Sequence, residues 1–199
     1  MISLALTGGI ACGKSELGRL LGRLGAEVVD ADAIVRRMHC AGGEAAGAVA
    51  ELFGEDFLLP DGATDRAKLA RLAFSDETAR RRLEERLHPI VRNWLLRWKD
   101  GAGGSSPVRI AQIPLLFDRD WAGDWDRTAT VETSSMAVRF ARLASRGLSR
   151  AEAGRRIASQ LPADRRIRLA DFVIRNDGSV EQLETTAKTL FRFLENECK

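Results

Sequence analysis

Near the start of the chain, Gly8-Gly9-Ile10-Ala11-Cys12-Gly13-Lys14-Ser15 fits the spacing G-x-x-x-x-G-K-[ST]. These residue types suit a triphosphate. Glycines let several backbone N–H groups converge on phosphate oxygens without side chains in the way, and a following helix N-terminus adds a favourable dipole. Lys14 would then hold the β- and γ-phosphates, and the Ser15 hydroxyl would face a Mg²⁺ ion shared with those phosphates. Cys12 reads as a small filler rather than a nucleophile. Glu16 is less expected, because an acid beside ATP opposes it even though it suits the helix dipole; its side chain is expected to point away from the phosphates.

Two further groups carry candidate chemistry. Asp30-Ala31-Asp32 follows a short apolar stretch, and in open α/β sheets ligands collect beyond the carboxyl ends of strands. A carboxylate there can take the proton of an attacking hydroxyl. By spacing alone, either aspartate serves equally well as a helix cap. Between Met136 and Ala170, nine arginines stand against Glu152 and Asp164, so this segment is strongly positive while the rest of the chain is slightly negative. Arg139, Arg142 and Arg146 recur at helical spacing and can share one face. Beside a phosphate loop, such a face reads as a lid whose guanidinium groups close on phosphates. His88 before Pro89 has no second His or Cys at ligand spacing, and no protein-held metal site is expected.

Elements that would position these groups can be read from the pattern. Ile2 to Leu6 is an apolar run, Leu17, Leu20, Leu21 and Leu24 mark a helix, and Glu27 to Asp30 a second strand after Gly25. This strand–loop–helix–strand opening predicts an α/β fold with a parallel sheet. From Asp32 to Lys99 the pattern is helical, with a turn at Leu59-Pro60-Asp61-Gly62 and with His88-Pro89 ending one helix and opening the next. About 65 helical residues exceed a normal crossover and read as an inserted subdomain. Asp100 to Pro107 reads as a loop. Strands are expected at Val108–Ile113, Arg127–Glu132 and Phe172–Ile174, and helices at Ser135–Ser145 and Ser149–Gln160 and after Ser179. Ser149-Arg-Ala-Glu152 and Ser179-Val-Glu-Gln182 are capping boxes.

The chain has 199 residues, is 45% hydrophobic and 30% charged, and carries a formal charge of +3. One domain with insertions fits that length. No stretch approaches a membrane span, and the first fifteen residues have neither a basic start nor a cleavage-like site. Three scattered cysteines argue against a disulfide framework. A cytoplasmic protein is expected, bound to neither membrane nor nucleic acid, a monomer or weak homo-oligomer. These residues alone leave open another nucleoside or nucleotide kinase, or a non-catalytic ATP- or nucleic-acid-binding protein. A GTPase is disfavoured because no Asn-Lys-x-Asp motif occurs.

Taken in order, Leu6 to Ser15, Val29-Asp-Ala-Asp-Ala-Ile34 with Arg36, Leu87-His-Pro-Ile90, Pro114-Leu-Leu-Phe-Asp118, Arg156-Ile-Ala-Ser-Gln160 with Pro162, and Ala170-Asp171 through Gly178 resemble the dephospho-coenzyme A kinase family over nearly the whole chain. The resemblance implies an α/β, three-layer P-loop NTPase fold with an inserted helical CoA subdomain and a helical lid. The nucleotide core would span about 1–31, 105–135 and 171–199, the CoA subdomain about 32–104 and the lid about 136–170. It implies ATP-dependent phosphorylation of the 3′-hydroxyl of dephospho-CoA. Asp32 becomes the base, Lys14 and Ser15 the phosphate and Mg²⁺ contacts, Arg142 and Arg146 the lid cations. Arg36 and His88 fall on the substrate side, and Asn176 near the adenine. The chain departs from the family pattern at Ala11 and Cys12, where Gly and Ser are usual, at Glu16, usually Thr, and at Asp118, usually Glu. It is also one residue shorter after Arg146.

Overall fold

The computed structural model describes residues 1–101, 104 and 106–198. The chain divides into two compact units, one of Met1–Val29 with Ala102–Lys199 and the other of Asp30–Gly101.

The first unit is built on five strands, β1 (Ile2–Gly8), β2 (Glu27–Asp30), β3 (Val108–Gln112), β4 (Arg127–Glu132) and β5 (Phe172–Arg175), in the order β2-β3-β1-β4-β5. β1 pairs in parallel with β3 and β4, and β4 in parallel with β5. β1 is buried along its whole length. Its Ile2, Leu4 and Leu6 join Val108, Ile110, Ala129, Val131 and Ile174 on one face, as the pairing Leu4↔Ile110 and Leu6↔Ala129 requires. Two helices cover that face. From α1 (Lys14–Arg23) come Leu17, Leu20 and Leu21, and from α9 (Val180–Glu197) Leu183, Ala187, Leu190, Phe191 and Leu194. α1 ends where Gly25 takes φ 109 and Ala26 N–H reaches back to the Leu21 carbonyl, which turns the chain into β2. The parallel α/β architecture expected from the opening residues is present.

Three helices connect β4 to β5: α6 (Met136–Ala144), α7 (Arg150–Ala158) and α8 (Ala163–Leu169). Both expected capping boxes form, at Ser149 with Glu152 and at Ser179 with Gln182. The sequence pattern predicts a helix from Ser149 to Gln160 and none over α8. Two turns break that pattern: Gln160 N–H closes back on the Ile157 carbonyl, and Pro162 opens the next helix. α8 has no apolar stripe to announce it; its buried residue is Arg166.

The second unit is helical: α2 (Ala31–Met38), α3 (Glu44–Phe53), α4 (Arg66–Ser75) and α5 (Glu77–Asp100). Gly62 N–H closes the expected turn on the Leu59 carbonyl, and an isolated antiparallel bridge joins Leu58 and Thr64. One expectation fails here. His88-Pro89 does not separate two helices, because α5 runs unbroken through Pro89. Proline removes the ladder bond to Glu85 and costs about 3 kcal/mol in a helix interior. A helix of 24 residues capped by Asp76 and buried at Ala79, Val91 and Leu95 absorbs that loss. The loop expected at Asp100–Pro107 lies partly outside the described residues.

Candidate active site

The phosphate loop runs from the end of β1 into α1, and neighbouring side chains hold its carbonyls from outside. Arg139 Nε donates to the Ile10 carbonyl at 3.2 Å, Arg142 to the Ala11 carbonyl at 2.9 Å, and Asn176 Nδ2 to the Cys12 carbonyl at 2.8 Å. Each carbonyl so engaged fixes a peptide plane, and the residues between them alternate toward left-handed backbone, with Ala11 at φ 63 and Gly13 at φ 104. Successive N–H groups in such alternation form an anion-binding nest. Gly13 also has to be glycine for space, since a Cβ there would lie 2.1 Å from Asn176 Nδ2. No side chain caps α1 at Gly13, so the first N–H groups of the helix are left for an anion.

Lys14 begins α1, and its Nζ is 3.5 Å from Gln112 Oε1 at the end of β3. Ser15 follows on the exposed side of the first turn. Glu16 turns along the helix onto Arg19, which donates from Nε at 3.0 Å. That partner holds the Glu16 carboxyl below its ordinary value. The carboxylate is therefore neutralised within its own helix, although Glu16 still borders the adjacent pocket. Cys12 is fully buried, its Sγ 4.0 Å from Glu132 Oε2. Burial pushes its thiol up, against the opposing pull of Arg139, which suits a filler and not a nucleophile.

A pocket of about 250 Å³ opens beside the loop, lined by Ala11, Gly13, Glu16, Arg142, Arg146, Asn176, Gly178, Val180 and Leu183. Of the sequence-derived residues of this unit, Ala11, Gly13, Glu16, Arg142, Arg146 and Asn176 meet there, whereas Lys14 and Ser15 do not line it. Asn176 is buried, and its amide nitrogen serves the loop backbone. Arg146 lies just past α6 on the exposed side.

Asp32, Arg36 and His88 belong to the second unit. The ambiguity over Asp30 and Asp32 resolves locally: Asp30 is the N-cap of α2 and accepts the Asp32 N–H at 2.8 Å. Asp32 has no part in capping. It stands exposed in the first turn of α2, with Arg36 one turn later on the same exposed side. His88 is half-buried within α5.

Sequence reasoning does not assign a loop-shaping role to five residues. Arg139 reads as part of a lid face and not as a support of the loop backbone, and Arg166 only as one arginine of the cluster. Gln160, whose Oε1 accepts the Ile10 N–H at 2.8 Å, Gln112, and the buried pair Glu132–Arg166 carried no periodic or spacing signal. Among the described residues no cluster of three or more His, Cys, Asp or Glu could hold a metal ion.

The sequence profile of the dephospho-CoA kinase family matches residues 2–182. The chain belongs to that family. A dephospho-CoA kinase of Geobacter sulfurreducens is 40% identical over 189 residues, covering 91% of this chain and 92% of its own. A solved structure from Thermus thermophilus is 34% identical, with a TM-score of 0.80 and 97% of each chain covered. The shikimate kinase of Acinetobacter baumannii, solved with shikimate, is 14% identical with a TM-score of 0.57, covering 99% of this chain and 94% of its own. That likeness shows the P-loop kinase fold alone. For a kinase of this family, the engaged loop carbonyls and the open N-terminus of α1 are the parts that a nucleotide triphosphate requires.

Proposed function

We propose that this kinase transfers the γ-phosphoryl group of ATP to the 3′-hydroxyl of dephospho-CoA, giving CoA and ADP, the last step of coenzyme A synthesis. The observation that carries the reading is the phosphate loop whose carbonyls are held by Arg139, Arg142 and Asn176, leaving an uncapped helix N-terminus beside the pocket of Arg142 and Arg146. Phosphoryl transfer is mostly positioning and charge stabilisation. The loop N–H groups and Lys14 bind the β- and γ-phosphates. Arg142 and Arg146 neutralise charge that spreads over the transferring group. Asp32 holds the 3′-hydroxyl and takes its proton as the bond to phosphorus forms, and ADP leaves along the same line.

Residues 32–104 are proposed as the CoA-binding subdomain, with Arg36 and His88 on the substrate side, and 136–170 as a lid that excludes water when it closes. Residues Gly8 to Glu16 form the nucleotide cradle, with Asn176 toward the base. The donor set fits Mg²⁺: one hydroxyl, Ser15, at the loop, and no carboxylate cage among the described residues, as for an ion held largely by phosphates and water. Bound there, it would neutralise phosphate charge. No helix of the described residues is long and apolar enough to cross a membrane. We place the enzyme in the cytoplasm, as a monomer or weak homo-oligomer without nucleic-acid partners.

The deciding experiment follows ADP release from Mg·ATP with dephospho-CoA, adenosine, AMP or no acceptor, with product mass recorded and Lys14→Ala as the blank. Dephospho-CoA-dependent turnover that adds one phosphate and vanishes in the blank is expected. Acceptor-independent release, or a preference for AMP, would defeat the reading.

A further inference from the structure

Behind the phosphate loop lies a charge pair that the mechanism above does not use. Glu132, the last residue of β4, and Arg166 of α8 are 1% and 4% exposed. They meet through both ends of the guanidinium fork, Nε to Oε1 at 2.6 Å and Nη2 to Oε2 at 2.8 Å. Thr130 donates to the same carboxylate at 2.8 Å. The remaining Nη1 of Arg166 donates to the Leu161 carbonyl. Leu161 adjoins Gln160, and Gln160 accepts the Ile10 N–H at 2.8 Å. A continuous chain of contacts thus runs from the sheet, through Arg166 and the α7–α8 turn, to the phosphate loop. The loop is packed against it: a Cβ on Gly9 would lie 3.0 Å from Arg166 Nη2.

A pair this deep is a poor source of stability, because desolvation offsets the attraction. It adds no net charge near the phosphates, so it does little to draw ATP in. What a bidentate fork supplies is orientation.

We propose that Arg166 and Gln160 are positioning residues for phosphoryl transfer: the Glu132–Arg166 pair anchors the α7–α8 turn, and Gln160 on that turn holds the Ile10 N–H and with it the first bend of the phosphate loop. The inference rests on the ATP-dependent transfer proposed above. A loop displaced by an ångström loses alignment between the γ-phosphate and the attacking hydroxyl far more than it loses nucleotide.

The test compares Gln160→Ala, Arg166→Lys and the double variant. Arg166→Lys keeps the buried charge opposite Glu132 and loses the fork, and Gln160 is only partly buried, so Gln160→Ala leaves the core closed. Each single variant is expected to lower kcat about tenfold with KM for ATP altered less than about threefold. The double variant is expected to be no worse than about twice the weaker single, since both cuts break one chain of contacts. Hydrogen exchange of the loop amides in the nucleotide-free protein should quicken in all three, a readout that does not depend on which alcohol accepts the phosphate. The proposal is overturned if Gln160→Ala keeps full kcat, if the two losses multiply, or if Arg166→Lys lowers thermal stability alone. Failure of the acceptor comparison with quickened exchange would sink the choice of substrate and leave the positioning role standing.

Discussion

On one face of the sheet Leu4, Leu6, Val108, Ile110 and Val131 pack against α1 and α9. On the other, the alternate residues include Ser3, Arg109, Thr128, Thr130 and Glu132, all buried and all polar. The apolar face needs only area and volume. The polar face needs partners, and each has one: Ser3 with Asp126 at 2.6 Å, Arg109 with Glu27 at 3.1 Å, Thr128 with Asp171 at 2.8 Å, Glu132 with Arg166 at 2.6 Å. Apolar burial is non-directional and contributes stability in proportion to area. Buried hydrogen bonds are directional, contribute less net stability, and cost most when one partner is missing. The apolar face is therefore where stability should reside, and the polar face, through Glu132, is where geometry is handed to the phosphate loop.

Substitutions can break that division at several strengths. The largest effect is expected at the loop: Lys14→Ala should lower kcat/KM by roughly 10³-fold or more, about 4 kcal/mol of transition-state stabilisation, with thermal stability unchanged in the same preparation. Leu4→Ala on the apolar face should do the reverse, losing about 3 kcal/mol in a denaturant titration while activity per folded molecule is retained. A loss of activity there beyond the unfolded fraction would show that the two faces are not separable. Asp32→Asn, in the helical unit, should lower kcat about 10²-fold and leave ATP affinity intact by direct binding. Equal losses in both would make the residue structural.

Ala11 tests the loop with a gain. Its left-handed φ of 63 costs an L-residue about 1–2 kcal/mol, and glycine gives back part of that through unfolded-state entropy. Ala11→Gly should stabilise by about 0.5 kcal/mol, measured by denaturant midpoint. The smallest effect concerns a buried polar group outside the sheet. His39 is buried beside Thr64 at 2.9 Å, and burial, with Arg66 nearby, holds its imidazole below the ordinary value. As pH falls below about 6.5 the unfolded chain takes up the proton first, so this contribution is complete above that pH and is lost toward acid. His39→Gln should flatten stability between about pH 7 and 5; an unchanged slope would locate the titration elsewhere.

Much of the fold was legible because its signals are local. Gly25, Ser149 and Ser179 are read from chain chemistry that acts within one turn, and all three do what their types require. Pro89 misled for the same reason. A proline is a local breaker, while the continuity of α5 comes from burial at Val91 and Leu95, which proline does not touch. α8 went unseen because its anchor is an arginine, and a buried arginine is visible only once its carboxylate partner, 34 positions earlier, is in place. Asp30 and Asp32 could not be told apart by spacing, since either offers a cap; the 2.8 Å bond to the Asp32 N–H assigns the cap to Asp30.

By itself the sequence determined the phosphate loop, the parallel sheet that carries it and the family, because glycine spacing, apolar periodicity and ordered motifs are written in neighbouring residues. Only the tertiary structure decided what holds the loop in shape. Arg139, Arg142, Gln160 and Asn176 reach it from 129 to 164 positions away, and contacts over such separations depend on how the strands and helices fold back on one another.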